Sequence, residues 1–288
     1  MEKYSKFSDK TTGKLGFNQP IPLYTTLPLI VKILYWIYIY SIYPALIVLR
    51  LPLIKVLTLI WVYAPIPFKD AIFTNLLLLC YGCIPSKPMQ ASTLQKKKRA
   101  VYKLTKNTII CGQLTSPVDI LLYIKYFKPA KVLFPSFKLL SPASAFNNSL
   151  NFESFLQIEE SETKTDFCLP NKRVLVFPEQ FPTNQTVVMR SYLSSELFLN
   201  RQIICAASKK SWSFVPKQHS SFDFLTNCDD VGSLLYRQTV FCNSFKASDE
   251  VESDKVQKGL ASCLGVECGS QGIGERKAYM EAYAREQE

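Results

Sequence analysis

The sequence of 288 residues contains one histidine, His219. A histidine pair, a two-histidine metal site and any relay built on two imidazoles are therefore excluded. Acids are scarce at one end. Residues 1–118 carry three, Glu2, Asp9 and Asp70, against 15 Lys and Arg, a formal charge of +12. Residues 119–288 carry 20 acids against 19 basic residues, a charge of −1, so the overall +11 belongs to one end of the chain. The first 20 residues hold no long apolar run, and Lys3, Lys6, Lys10 and Lys14 lie there. A cleavable secretory leader is not expected. Nine cysteines include one Cys-x-x-Cys, Cys80-Tyr81-Gly82-Cys83, with no second pair or histidine spaced to complete four zinc ligands. No metal is expected, and reduced thiols facing a cytosolic compartment are the reading. With 48% apolar and 20% charged residues, the chain is not a disordered segment, a collagen-like repeat or a small disulfide scaffold.

What is present begins with grease. Ile33–Leu49 is a run of 17 uncharged residues, at the short limit for a membrane span. Arg50 and Lys55 interrupt it, and Val56–Phe68 adds 13 more uncharged residues. Trp36, Trp61 and five tyrosines between Tyr35 and Tyr63 give the stretch an interfacial character. Lysines flank it on both sides, including Lys96, Lys97, Lys98 and Arg99 after it. Basic flanks stay cytosolic, so an even number of crossings or a hairpin in one leaflet is expected, bent at Pro44 or Arg50–Pro52. A buried core helix is the alternative. The Lys96–Arg99 run is read as a contact for anionic lipid, with a solvated linker as the plainer option. Cys80 and Cys83 are candidates for palmitoylation.

After residue 106 strands and helices alternate, which predicts an α/β domain, a sheet covered by helices. Strands are expected at Asn107–Gly112, Lys131–Phe134, Arg173–Phe177 and Gln202–Ala207. Ser116-Pro117-Val118-Asp119 opens a helix to Phe127, with Ser at the N-cap, Pro at N1 and an acid at N3. Short helices are expected at Phe152–Gln157 and Ser191–Leu199, a loop from Ser208 to Asp230, a helix from Asp249 to Leu264 and a charged one at Glu275–Glu288. The organisation read from this is a basic segment (1–24), a membrane hairpin anchor (25–85), a basic linker (86–106), an acyltransferase-like α/β domain (107–245) and a helical tail (246–288).

Two segments stand out, each directly after an expected strand. One is Cys111-Gly112-Gln113-Leu114-Thr115-Ser116-Pro117-Val118-Asp119, the other Val174-Leu175-Val176-Phe177-Pro178-Glu179-Gln180-Phe181-Pro182-Thr183-Asn184. Together they resemble the two motifs of the glycerolipid acyltransferase family, which includes the lysophosphatidic acid acyltransferases. Within that family the likeness is to the fungal lysophosphatidic acid:oleoyl-CoA acyltransferase branch. The start Met1–Tyr4, the Thr115–Asp119 segment and the tail around Leu264–Glu267 and Glu275–Tyr279 are similar to that branch.

The resemblance implies acyl transfer from acyl-CoA to lysophosphatidic acid, with acyl-CoA as co-substrate and no other cofactor. It implies membrane lipids as partners, no nucleic acid, and the cytosolic face of the endoplasmic reticulum or a lipid droplet as location. It implies Asp119 as the catalytic-motif aspartate, with Thr115, Ser116, Phe177, Pro178, Glu179 and Asn184 against substrate. The departures are specific. The family's base is a histidine five residues before the aspartate, where this chain has Leu114, which takes no proton. Gln180, Phe181 and Pro182 replace Gly, Thr and the arginine expected to hold the substrate phosphate. A second function class therefore stays open: a non-catalytic protein of the same fold, acting as a lipid-binding or droplet scaffold.

Overall fold

The computed structural model describes residues 29–66, 68–91, 104–133, 138–150, 172–179, 187–188, 198, 201–213, 231, 235–246 and 253–269. The fold is α/β, built on a seven-stranded mixed sheet. The strands are β1 (Cys83–Gln90), β2 (Thr108–Gly112), β3 (Lys131–Leu133), β4 (Leu139–Leu140), β5 (Val174–Val176), β7 (Gln202–Ser213) and β8 (Tyr236–Lys246), in the order β1-β8-β7-β2-β5-β3-β4. Strands β7, β2, β5 and β3 run parallel, while β8 and β4 pair antiparallel to their inner neighbours and β1 runs parallel to β8. Two further short strands, β6 (Val187–Val188) and β9 (Glu267–Cys268), pair with each other.

The alternation of side chains along the strands divides the core in two. Ile110, Leu175, Ile204 and Ala206 face one cluster, packed under helices α2 (Tyr43–Tyr63), α3 (Lys69–Cys80), α4 (Pro117–Phe127) and α5 (Pro142–Ser149). Ile109, Cys111, Val174, Val176, Ile203 and Cys205 face the other, packed under α6 (Ser253–Leu264). Both faces are covered, as a parallel sheet requires. Helix α4 is buried nearly all round because the sheet lies on one side and α3 and α5 on the other. Each of its fully buried aliphatic side chains contributes about 1.5–3 kcal/mol.

In the amino-terminal helices the break in the helix lies elsewhere than at Pro44 or Arg50–Pro52. Helix α1 (Leu29–Ile37) continues through a π-helical turn (Tyr38–Ile42) into α2. Pro44 falls directly after the π turn, which absorbs the missing amide and the ring's clash with the preceding turn. Pro52 lies inside α2, so the chain stays helical past both prolines. Helix α2 ends at Tyr63 and α3 begins at Lys69, with Phe68 before it in the left-handed conformation (φ 55°). The stretch Tyr40–Tyr63 is 24 residues long with a mean hydropathy of 2.2, long and apolar enough to cross a membrane.

Three further differences concern boundaries. The boundary expected at residue 85 falls inside β1, whose Cys83–Gln90 joins the sheet edge. Ser208, placed by the sequence at the start of a loop, lies within β7. Helix α6, expected as the start of a tail, packs onto β7 and β8 and closes one face of the domain. The helices expected at Phe152–Gln157 and Glu275–Glu288, and all but Phe198 of Ser191–Leu199, lie outside the described residues.

Candidate functional site

The two motifs meet at the carboxyl end of the sheet. Strand β2 pairs with β5 through Cys111 and Val176, so Gln113–Ser116 and Phe177–Glu179 leave neighbouring parallel strands side by side. The chain leaves β2 through α4 toward β3 on one side, and leaves β5 toward β7 on the other side of β2. Adjacent strands whose connections depart in opposite directions form a topological switch point, the place where open α/β sheets bind ligands.

Asp119 is fully buried at this point. Its Oδ2 accepts from the backbone N–H of Thr115 at 2.7 Å and of Ser116 at 3.0 Å, which ties the loop to the first turn of α4. Its Oδ1 accepts from the Ser208 hydroxyl on β7 and, at 2.6 Å, from Gln238 Nε2 on β8. Gln238 Nε2 also donates to Ser208 Oγ at 2.7 Å, and the Cys83 thiol lies 3.9 Å from Gln238 Oε1. One carboxylate thus gathers α4 and two strands, and Gln238 reaches on toward β1. Burial raises the Asp119 pKa above the ordinary carboxylate value; the bonds from Ser208, Thr115 and Ser116 pull the other way and do not cancel it.

The neighbours are equally enclosed. Leu114, at the position where the resemblance expects a base, is a core residue packed with Val118 and Ile120. Tyr123, one turn along α4, donates to the carbonyls of Gln113 (2.7 Å) and Ala206 (3.2 Å), and its ring lies 6.4 Å from that of Phe177. Burial, and then the negative charge of Asp119, pushes the Tyr123 hydroxyl well above its ordinary pKa, so it stays protonated. Phe177, Pro178 and Glu179 are buried, whereas Thr115 and Ser116 are partly open. Close packing at Gly112 explains the absence of a side chain there: a Cβ would lie 2.8 Å from the Tyr123 ring. Asn184 and His219 lie outside the described residues.

Sequence reasoning missed Ser208 and Gln238. The first sat at the edge of an expected loop and the second in a strand not anticipated. The Cys-x-x-Cys pair does not form a shared exposed site: Cys83 is buried against Gln238 and Cys80 is half-buried at the end of α3. Among the described residues, all seven cysteines are free thiols and no group of three or more His, Cys, Asp or Glu side chains could hold a metal ion. Comparison with protein-family models, curated proteins and solved structures finds no match to this chain.

Around the domain, the outer faces of α1–α3 are apolar. In α2, Ile54, Thr58 and Trp61 point inward, while Val48, Leu49, Leu53, Val56, Leu59 and Tyr63 are exposed. Arg50 is tied to the domain through Nη1 to the Val231 carbonyl at 2.9 Å. Residues 50–61 of α2 therefore press one face on the globular domain and turn an oily face outward.

Proposed function

We propose that the protein is a membrane-associated acyltransferase that moves an acyl group from acyl-CoA to lysophosphatidic acid, giving phosphatidic acid. The acyltransferase-like fold, the endoplasmic reticulum or lipid-droplet location and the lipid partners belong to the same reading. It is carried by one observation: the two acyltransferase-like segments converge at the carboxyl ends of β2 and β5, at the switch point of the sheet. The apolar outer faces of α1–α3 supply the means of meeting a lipid substrate. In this reading they lie in the plane of the leaflet, because a helix pressed on the domain along one face is not free to be surrounded by lipid.

In the reaction, the lysophosphatidic acid hydroxyl oxygen bonds to the thioester carbonyl carbon, the carbon–sulfur bond breaks, and the hydroxyl proton ends on the departing CoA thiol. Asp119 does not take that proton, since all of its acceptor directions meet donors and it is closed to solvent. It is a positioning residue, which sets the Thr115–Ser116 turn at the mouth of the crevice. Thr115 and Ser116, the partly open members of the segment, are the groups available to touch substrate.

A second reading, the non-catalytic lipid-binding scaffold, is favoured by Leu114, which fills the base's position with buried hydrocarbon. One experiment separates the two. Membranes carrying the protein are given oleoyl-CoA and lysophosphatidic acid, alongside Thr115→Val, Glu179→Gln and His219→Ala variants. Turnover that falls at least about tenfold in Thr115→Val and Glu179→Gln supports the acyltransferase. Lysophosphatidic acid binding without turnover supports the scaffold, and turnover indifferent to both substitutions removes these segments from the chemistry.

A further inference from the structure

The long amino-terminal helix has a direction relative to the sheet. Residues 50–61 of α2 press on the domain, and α3 runs back beside them. Trp61 stacks on Phe73 at 6.5 Å and donates to Asp70 at 2.9 Å, while at the other end of the pair the charge of Arg50 acts on the Cys80 thiol. Cys80 ends α3 just before β1, which starts at Cys83 opposite Tyr236, and the Tyr236 N–H donates to the Gly82 carbonyl at 3.0 Å. Tyr236 in turn pairs with Ser213, the last residue of β7, which runs parallel to β2. The Arg50 end of α2 therefore lies at the carboxyl edge of the sheet, where the motif crevice opens.

What precedes Arg50 reaches past that edge. Residues 29–49, through α1, the π turn and the first residues of α2, span about 30 Å at 1.5 Å per residue. Among the described residues, α1 packs closely only on the π turn, and the π turn only on α1 and α2. Ile33, Leu34, Trp36, Ile37, Tyr40 and Leu49 are exposed, and at about 100° per residue they spread over more than half of the helix circumference. Lys32 is the one charge in this overhang. A protein face covers one side of a helix, whereas lipid surrounds it, and a helix that is apolar on most sides is at home in lipid. Trp36 and Tyr40, stacked at 5.1 Å, belong to the residue types that gather where lipid meets water.

The overhang and the crevice are also close in height. Helices α3 and α5 each pack on both α2 and α4, so α4 lies one helix layer behind α2, roughly 10 Å away. The Thr115–Ser116 turn at the start of α4 stands about that far above the line of the overhang. We propose that residues 29–49 hold a lipid leaflet beneath the mouth of the motif crevice, so that a single-chain amphiphile enters sideways from the leaflet with its headgroup at Thr115 and Ser116. The chemistry of that acceptor rests on the acyl-transfer reading, and the placing of the leaflet does not.

The test uses the full-length protein on phosphatidylcholine vesicles, with a diazirine-bearing side chain in place of Thr115, Val56 or Lys258 in turn, and reads lipid labelling after irradiation. The Thr115 position and, on the outer ridge, the Val56 position should label, and the Lys258 position on α6 should not. Ile33→Glu/Ile37→Glu should abolish labelling from the Thr115 position in the protein that stays bound, and leave that from the Val56 position. An unlabelled Thr115 position, or labelling there that survives Ile33→Glu/Ile37→Glu, would overturn the proposal. So would a cross-linked dimer, in place of labelled lipid, from a probe at the Leu34 position. Turnover is measured in parallel on oleoyl lysophosphatidic acid in the vesicles and on a short-chain, water-soluble lysophosphatidic acid. Ile33→Glu/Ile37→Glu should lose roughly tenfold on the first and keep the second, and equal losses overturn the sideways path. No turnover on either acceptor without substitutions removes the acyl-transfer reading, while the labelling still decides where the leaflet lies.

Discussion

Gln238 donates its side-chain N–H to Asp119 across 2.6 Å, although 119 positions separate the two in the chain. The bond joins a strand near one edge of the sheet to the first turn of the helix that follows the central strand. Ser208 sits between them and contacts both. Removing either donor leaves a buried carboxylate short of a partner, at a cost of about 1–3 kcal/mol. Gln238→Leu and Ser208→Ala should each lower the free energy of unfolding by that amount in urea titrations. The double variant should lose less than the sum, because both act on one oxygen. Full additivity would mean that the three side chains do not act as one unit.

The same carboxyl gives a pH dependence with a definite sign. Burial raises the Asp119 pKa in the folded protein, so the native state holds its proton more tightly than the unfolded chain. The stabilisation is complete below the ordinary carboxylate value and is lost as pH rises through the raised one. Between those two points the wild-type unfolding free energy should fall relative to that of Asp119→Asn, which does not titrate. The check is a pair of urea titrations at each of several pH values. A difference that stays flat, or grows in favour of the wild type as pH rises, contradicts the burial argument.

Gly259 marks the closest approach of α6 to the sheet. A Cβ there would lie 2.7 Å from Cys205 Sγ and 3.3 Å from the Phe245 ring. Alanine gains about 1 kcal/mol of helix propensity over glycine, while forcing atoms into a packed core costs about 1–3 kcal/mol. A contact this short with a buried, strand-borne sulfur belongs at the upper end of that range. Gly259→Ala should therefore destabilise by about 1–2 kcal/mol in thermal or urea unfolding. A stabilised variant would show that α6 stands off the sheet.

These contacts also show where sequence reading stops. Strand β2, the Ser116-Pro117 opening of α4, β5 and the core of β7 carry local signals, namely apolar runs and a helix-start pattern, and they form where those signals lie. Strand β1 does not: Cys-Ile-Pro-Ser-Lys-Pro-Met-Gln contains two prolines and follows a greasy helix, so it reads as linker. It forms because it is an edge strand, where a residue without an amide proton is tolerated. Asp119 was legible as a helix-start acid and as a motif residue. Its partners Ser208 and Gln238 were not, because nothing near them in the chain announces a carboxylate brought in by the fold. Pro44 and Pro52 predicted a break, but the chain stays helical past both, through the π turn and along α2.

The outward face of α2 gives the last expected outcome. Leu53 and Val56 are exposed beside Ile54, which is buried under the domain. If the ridge lies in a leaflet, each of those two half-exposed side chains contributes about half of the 1.5–3 kcal/mol of a full transfer, and losing both weakens association by roughly ten- to a hundredfold. Leu53→Glu/Val56→Glu should shift the protein from the membrane to the soluble fraction in sedimentation of cell lysates, while its circular dichroism and unfolding midpoint stay near wild type. Ile54→Glu should instead unfold the domain, because its charge enters the core. The contrast between neighbouring positions is the informative part: a helix surrounded by lipid would respond alike at all three. Retention of the double variant on membranes would place the anchoring elsewhere in the chain.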